Sequence, residues 1–255
     1  MASVPQQNRG LTVTFAGSGD AFGSGGRYQA CIHLRPPGGV SPVLLDCGAT
    51  SLSALKCLRL DPGEVTTVLV SHLHGDHFAG LPFLILDGQF SERSNPLTIA
   101  GPPGITQRLT TTMECLFPGS SSVARRFEIH VVEIEPGSST TVGEMSVSAW
   151  EVNHPSGAPP LALRIDVAGK TIAYTGDTAW TDDLVDCAAG ADLLIAEAYF
   201  RDKNVPYHLR QVDLDAHRGQ LTAKRIILTH MSPDVLDHHV PAPLEVAHDG
   251  LSLVL

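Results

Sequence analysis

The chain has 255 residues, 43% hydrophobic and 17% charged, which excludes a disordered chain and supplies ample core. Its net charge is −10 and no run of Lys or Arg exceeds the pair Arg125-Arg126, which argues against a broad basic surface for nucleic acid. No apolar run approaches the roughly 18 residues of a transmembrane helix, and the polar stretch Met1 to Gly10 lacks a signal core.

In chain order, a strand is predicted at Leu11–Ala16, followed by a Gly-rich loop at Gly17–Gly26. That loop is not a dinucleotide fingerprint, because its third glycine falls one position late for G-x-G-x-x-G. Strands follow at Ala30–Leu34 and Val43–Asp46, and a helix at Ser51–Leu60 that Asp61-Pro62-Gly63 terminates. Strand Val65–Val70 leads into a ligand-rich turn, and Gly80–Leu86 has a helical pattern. Leu81–Leu86 and Phe90 are assigned to the core by default. A strand at Leu97–Ala100 and a helix at Ile105–Leu116 come next. The middle is strand-rich: Phe127–Ile134, Met145–Val152, Leu161–Val167 and Thr171–Tyr174, with Gly143-Glu144 and Gly169-Lys170 as hairpin turns. Helix Asp182–Ala189, strand Asp192–Ala196, helix Leu209–Gln220 and strands Arg225–Thr229 and Leu251–Leu255 complete the chain. No repeat or long linker interrupts it, so residues 1–255 read as one domain. Strands that outnumber helices, with helices in both halves, fit an α/β fold of four layers, helix–sheet–sheet–helix. The five scattered cysteines form no CxxC and read as reduced thiols of a cytoplasmic protein.

The chemistry concentrates in His72-Leu73-His74-Gly75-Asp76-His77. Three imidazoles and a carboxylate on one strand-to-helix turn can hold two metal ions a few ångströms apart, an arrangement suited to hydrolysis by an activated water. Three more donors follow predicted strands: His154, Asp177 and His230. Donors just past strand ends can converge on one rim of a sheet. Asp46 is a candidate to accept the ring N–H of a liganding histidine.

The set His72, His74, Asp76, His77, His154, Asp177 and His230 resembles the metallo-β-lactamase fold superfamily. The stretches Gly17-Ser18-Gly19, Leu45-Asp46-Cys47-Gly48, Gly176-Asp177-Thr178 and Ile227-Leu228-Thr229-His230 resemble most its branch of ribonuclease Z and small phosphodiesterases. The resemblance implies a four-layer αββα sandwich. It implies that His72, His74 and His154 hold one ion and that Asp76, His77 and His230 hold a second. Asp177 would bridge the two, and a hydroxide shared between them would be the nucleophile. Asp76, His208 and Glu197 are the implied catalytic residues. His208 lies 22 residues before His230 (230 − 208 = 22) and would contact the scissile phosphate or protonate the leaving group. Leu209 stands where the family usually has Ser or Thr, which weakens that transfer. Glu197 would support His208 by hydrogen bonding, and Asp249 reads as a turn residue. Zn²⁺ suits the imidazole-rich set best, with Mn²⁺ or Fe as alternatives.

The same residues narrow the chemistry. Redox di-iron members of the family would carry Glu at position 74, where this chain has His. The presence of His77 disfavours antibiotic hydrolysis. Only 25 residues follow His230 (255 − 230 = 25), too few for the C-terminal domain of the glyoxalase branch. The expected activity is a dinuclear phosphodiesterase acting on small or cyclic nucleotide-type substrates. A lactonase or other acyl-ester hydrolase is the alternative, and a non-catalytic metal-dependent sensor the third reading. The expected partner is a small molecule, with no membrane and with tRNA disfavoured. His154 and Asp177 are only 23 residues apart (177 − 154 = 23), where tRNA-processing members carry an arm, and the chain is acidic. Relatives in the branch are often dimers, so a homodimer is also expected.

Overall fold

The computed structural model describes residues 10–255; the expectation for Met1 to Arg9 lies outside them. Fourteen strands are described: β1 (Thr12–Gly17), β2 (Cys31–Arg35), β3 (Val43–Leu45), β4 (Thr67–Leu69), β5 (Leu97–Gly101), β6 (Ile129–Glu133), β7 (Ser139–Val142), β8 (Met145–Glu151), β9 (Leu161–Val167), β10 (Lys170–Tyr174), β11 (Leu193–Glu197), β12 (Ile226–Thr229), β13 (Leu244–Val246) and β14 (Ser252–Val254). They form two seven-stranded sheets, ordered β14-β1-β2-β3-β4-β5-β6 and β13-β12-β11-β10-β9-β8-β7. The helices are α1 (Ser51–Cys57), α2 (Gly75–Phe78), α3 (Leu81–Phe90), α4 (Ile105–Leu116), α5 (Asp183–Ala188), α6 (Gln211–His217) and α7 (Pro233–Leu236).

The period-two alternation of strands sorts the apolar residues into three layers. Leu45, Leu69, Val147, Leu163, Ile172, Ile195 and Ile227 belong to the layer between the sheets. Their neighbours point the other way. Leu44, Val68, Val70 and Ile99 meet Leu55, Leu81, Ile85, Leu109 and Met113 of α1, α3 and α4. Ala173, Leu194, Ala196 and Leu228 meet Leu184, Leu214 and Val235 of α5, α6 and α7. The result is the four-layer αββα sandwich that the resemblance implies. Strands buried on both faces explain why Val68-Leu69-Val70 reads as an unbroken apolar run.

Several expected boundaries move. Helix α1 stops at Cys57, three residues early, because Arg59 takes a left-handed backbone (φ 57°). Leu60 N then bonds Leu55 O at 2.9 Å and Arg59 N bonds Lys56 O at 3.1 Å, the pattern that closes a helix C-terminus. The β9–β10 turn is Ala168-Gly169 (φ 51° and 72°), one residue before the expected pair. Phe90 is not core: it ends α3 with 82% of its surface exposed, while Leu81, Leu84 and Ile85 are buried. Cys31, Cys47 and Cys187 are buried and Cys57 and Cys115 exposed, all five free. Among the described residues, no helix is long and apolar enough to cross a membrane.

Candidate metal centre

Both sheets deliver side chains to one rim. After β4, the chain passes Ser71 and His72, reaches His74 in extended backbone, and enters the single turn of α2, which carries Asp76 and His77. Gly48 makes this packing fit, since a Cβ there would meet Asp76 O at 2.1 Å. Cys47 N bonds His77 O at 2.7 Å and fixes the turn. From the second sheet come His154 after β8, Asp177 after β10 and His230 after β12.

The structure brings all seven donors together in two adjoining groups. One is His72, His74 and His154; the other is Asp76, His77, Asp177 and His230, with donor atoms within 4.8 Å of one another in each. Asp177 faces both. Its Oδ2 lies 3.9 Å from His72 Nε2, 3.9 Å from His154 Nε2 and 3.4 Å from His230 Nε2, and its Oδ1 lies 3.3 Å from His77 Nε2. Buried polar atoms ordinarily find partners. Here His72 Nε2, His77 Nε2 and Asp177 Oδ1 are buried with no hydrogen-bond partner among the described residues. Buried donor atoms left without partners inside two close-set groups are what divalent cations require, so the donor set fits them.

The surrounding bonds fix which nitrogen each imidazole presents. Ser71 Oγ donates to Asp46 Oδ2 at 2.8 Å, so its lone pair is free to accept His72 Nδ1–H at 3.1 Å. His77 Nδ1–H donates to Asp46 Oδ2 at 2.7 Å. His154 Nδ1–H donates to the Tyr207 carbonyl at 2.9 Å. All three rings therefore turn Nε2 inward, the role such outer partners play at metal sites. Asp46 itself is completely buried and also accepts from Ser71 N and the Tyr174 hydroxyl, each at 2.7 Å. Asp46, Tyr207 and His230 have φ of 60°, 71° and 55°. Half of the six non-glycine residues with positive φ among the described residues thus border this site, where backbone strain tends to be held.

Charge follows the same division. Burial drives His72 well below its usual pKa, with the His77 charge adding, and burial lowers His154 as well. Both stay neutral, the form that ligates metal. For Asp177, burial works against ionisation, yet the charges of His230 and His77 hold it well below the carboxylate range. Asp76 is lowered likewise against burial, by His77 and His230.

Beside the cluster, His208 and Glu197 form a pair. His208 Nδ1 lies 2.9 Å from Glu197 Oε2, and Glu197 Oε1 accepts from Thr178 N. The His208 ring centroid is 4.9 Å from that of His154 and 6.1 Å from that of His230. Asp249 is a clamp: it accepts from Ser18 N, Ser18 Oγ and Tyr28 N at 2.8–2.9 Å and ties the Gly-rich loop to the C-terminal segment. Sequence reasoning missed Ser71, Tyr174 and Tyr207. Only Ser71 carried a signal, as the polar residue between an apolar strand and the first ligand.

Residues 42–231 match the family described as "Beta-lactamase superfamily domain". Ribonuclease Z of Methanosarcina acetivorans is 26% identical, over 91% of this chain and 90% of its own length. "Uncharacterized protein Rv1339" of Mycobacterium tuberculosis is 30% identical over 85% of this chain and 79% of its own length. The crystal structure of human tRNase Z, short form, superposes with a TM-score of 0.79 at 27% identity, covering 95% of this chain and 98% of that one.

These relatives overturn the expected partner. A small-molecule substrate, with tRNA disfavoured, conflicts with relatives named for processing RNA. The expectation leaned on the net charge of −10, a sum over the whole surface. Local potential at a mouth is set by the groups that line it and by any bound cations. The 154–177 interval is filled by the hairpin of β9 and β10 and does not decide what the rim binds.

Proposed function

The chain belongs to the β-lactamase superfamily and is a metal-dependent hydrolase; on that premise we propose that it cuts phosphodiester bonds of RNA at a dinuclear centre. The observation that carries this reading is the pair of adjoining donor groups with Asp177 facing both. His72, His74 and His154 would hold one divalent ion, and Asp76, His77 and His230 the other, with Asp177 between them. Five imidazoles and two carboxylates suit Zn²⁺. Two such ions, when bound, would supply a water acidified toward neutrality and positive charge for the phosphoryl oxygens.

The remaining steps fall to this chain's own side chains. Asp46 holds the His77 ring and, through Ser71, the His72 ring, so the donor geometry is set before any ligand arrives. The carboxylates of Asp76 and Asp177 stay ionised, which keeps their oxygens as donors at neutral pH. His208, its Nδ1 engaged by Glu197, has Nε2 left to exchange a proton with the leaving oxygen. Burial lowers its pKa from the ordinary histidine value. RNA as substrate is supported by the ribonuclease Z and tRNase Z relatives.

The test offers Zn²⁺-loaded protein a precursor tRNA transcript, bis-p-nitrophenyl phosphate and an acyl lactone side by side. Cleavage of the transcript and the diester, without lactone opening, is expected. Lactone opening with no phosphodiester turnover would sink the proposal.

A further inference from the structure

A cavity of about 390 Å³ opens beside His208 and is lined by Asn153, Trp180, Asn204, Tyr207, His208 and Arg210 among others. Its volume falls within the range of small-ligand sites. It adjoins the candidate centre through two residues: His208, whose ring is 4.9 Å from His154, and Asn153, which directly precedes His154.

Its walls are of two kinds. Trp180 stacks on His217 with ring centroids 3.9 Å apart and planes 12° from parallel, and its Nε1–H donates to Asp182 at 3.2 Å. The indole is thus fixed on one side and at its polar edge. Arg210 is a second planar group on the wall, held by Asp213 through Nε at 3.0 Å and Nη2 at 2.6 Å. The polar groups differ. Asn153 and Asn204 are exposed, and neither carboxamide makes a hydrogen bond to the described residues, although the Asn153 backbone is tied to Thr178 and Ala179. A carboxamide has both donors and an acceptor.

Rigid planar walls with free amide donors and acceptors are the composition that reads an unstacked base, by stacking on its face and hydrogen bonding along its edge. A purely apolar guest would leave the amides unmatched. We infer that this cavity receives the nucleobase flanking the scissile phosphate, with Trp180 as the stacking wall and Asn153 and Asn204 as edge readers. This inference rests on the RNA phosphodiesterase reading above and adds to it the residues that seat the substrate.

Two measurements test it. The first compares KM for a short oligoribonucleotide with that for one abasic at the nucleotide flanking the cut. Wild type is expected to favour the base-bearing substrate by about tenfold, and Trp180→Ala to bring the ratio close to one. Equal KM values in wild type would overturn the cavity's role while leaving RNA cleavage in place. Cleavage of neither oligonucleotide by the metal-loaded wild type would instead defeat the function proposed above, and this inference with it. The second measurement needs no turnover and does not depend on Trp180→Ala folding. Trp150→Phe leaves Trp180 as the only indole. Adenosine 5′-monophosphate is expected to quench its fluorescence, and ribose 5-phosphate, which carries the phosphate without the base, is not. The same response to both would overturn the inference.

Discussion

His77 Nδ1 and Asp46 Oδ2 meet at 2.7 Å with both side chains out of solvent. The carboxylate takes four donors, from Ser71 N, Ser71 Oγ, His77 and Tyr174, and they arrive from both sheets. Asp46→Asn would place an amide against those N–H and O–H groups. Metal affinity is expected to fall about 10- to 100-fold, the usual result of removing such an outer partner. Competition titration with a chelator measures it, and an unchanged affinity would count against the orienting role. Tyr174→Phe removes one donor of four and is expected to cost only about 1 kcal/mol of stability.

Asp177→Ala removes the carboxylate that faces both donor groups. Bound metal and phosphodiesterase activity are expected to fall together, measured by elemental analysis and initial rates on the same preparation. Full activity with full metal content would refute a bridging role.

His208→Ala keeps every proposed ligand. It is expected to retain the wild-type metal content and to lose kcat by roughly 10²- to 10⁴-fold, the range of general acid–base catalysis. Glu197→Gln weakens the support of His208 without removing the ring, so a smaller loss is expected, with an altered pH profile. A wild-type kcat in His208→Ala would leave that histidine structural.

His33 makes a prediction about stability. It lies on β2, 1% exposed, with Nε2 unpartnered. Burial pushes its pKa down to about 4, and the nearby Arg35 charge adds. The unfolded chain therefore binds a proton between pH 6.5 and 4 that the folded chain refuses. This stability is fully present above pH 6.5 and is lost as the pH falls toward 4, by about 3 kcal/mol in total. Urea unfolding across that window should show the decline, and His33→Gln should flatten it by a comparable amount. Parallel curves for the two proteins would contradict this account.

Many of the elements and the candidate donors were legible because each rests on a local pattern, while the fold and the grouping of the donors came from the family resemblance. Helix Ile105–Leu116 has an unbroken apolar face and breakers before it, and its expected and observed limits coincide. His154, Asp177 and His230 each stand just past a strand rich in apolar residues. The partners of Asp46 were not legible. Tyr174 reaches it from 128 positions away in the other sheet, a contact with no sequence signature. The elements α7 and β13, of four and three residues, are too short for a periodic pattern to register. Phe90 was misplaced because hydrophobicity says nothing about which side of a helix end faces outward. The substrate class was misjudged because a summed charge does not describe a local rim.

The donors come from both sheets, His72, His74, Asp76 and His77 from one and His154, Asp177 and His230 from the other. Between the sheets lie Leu69, Val147, Ile195, Ile227 and their neighbours, packed at crystal-like density. Their combined thickness sets how far apart the two halves of the donor set stand. Divalent ions differ in preferred bond length by a few tenths of an ångström. A substitution such as Ile195→Val, mild by the standard of folding energies, is expected to shift that spacing, which a change in relative metal affinities would report. Any preference among metals is then expected to depend in part on aliphatic side chains remote from the donors.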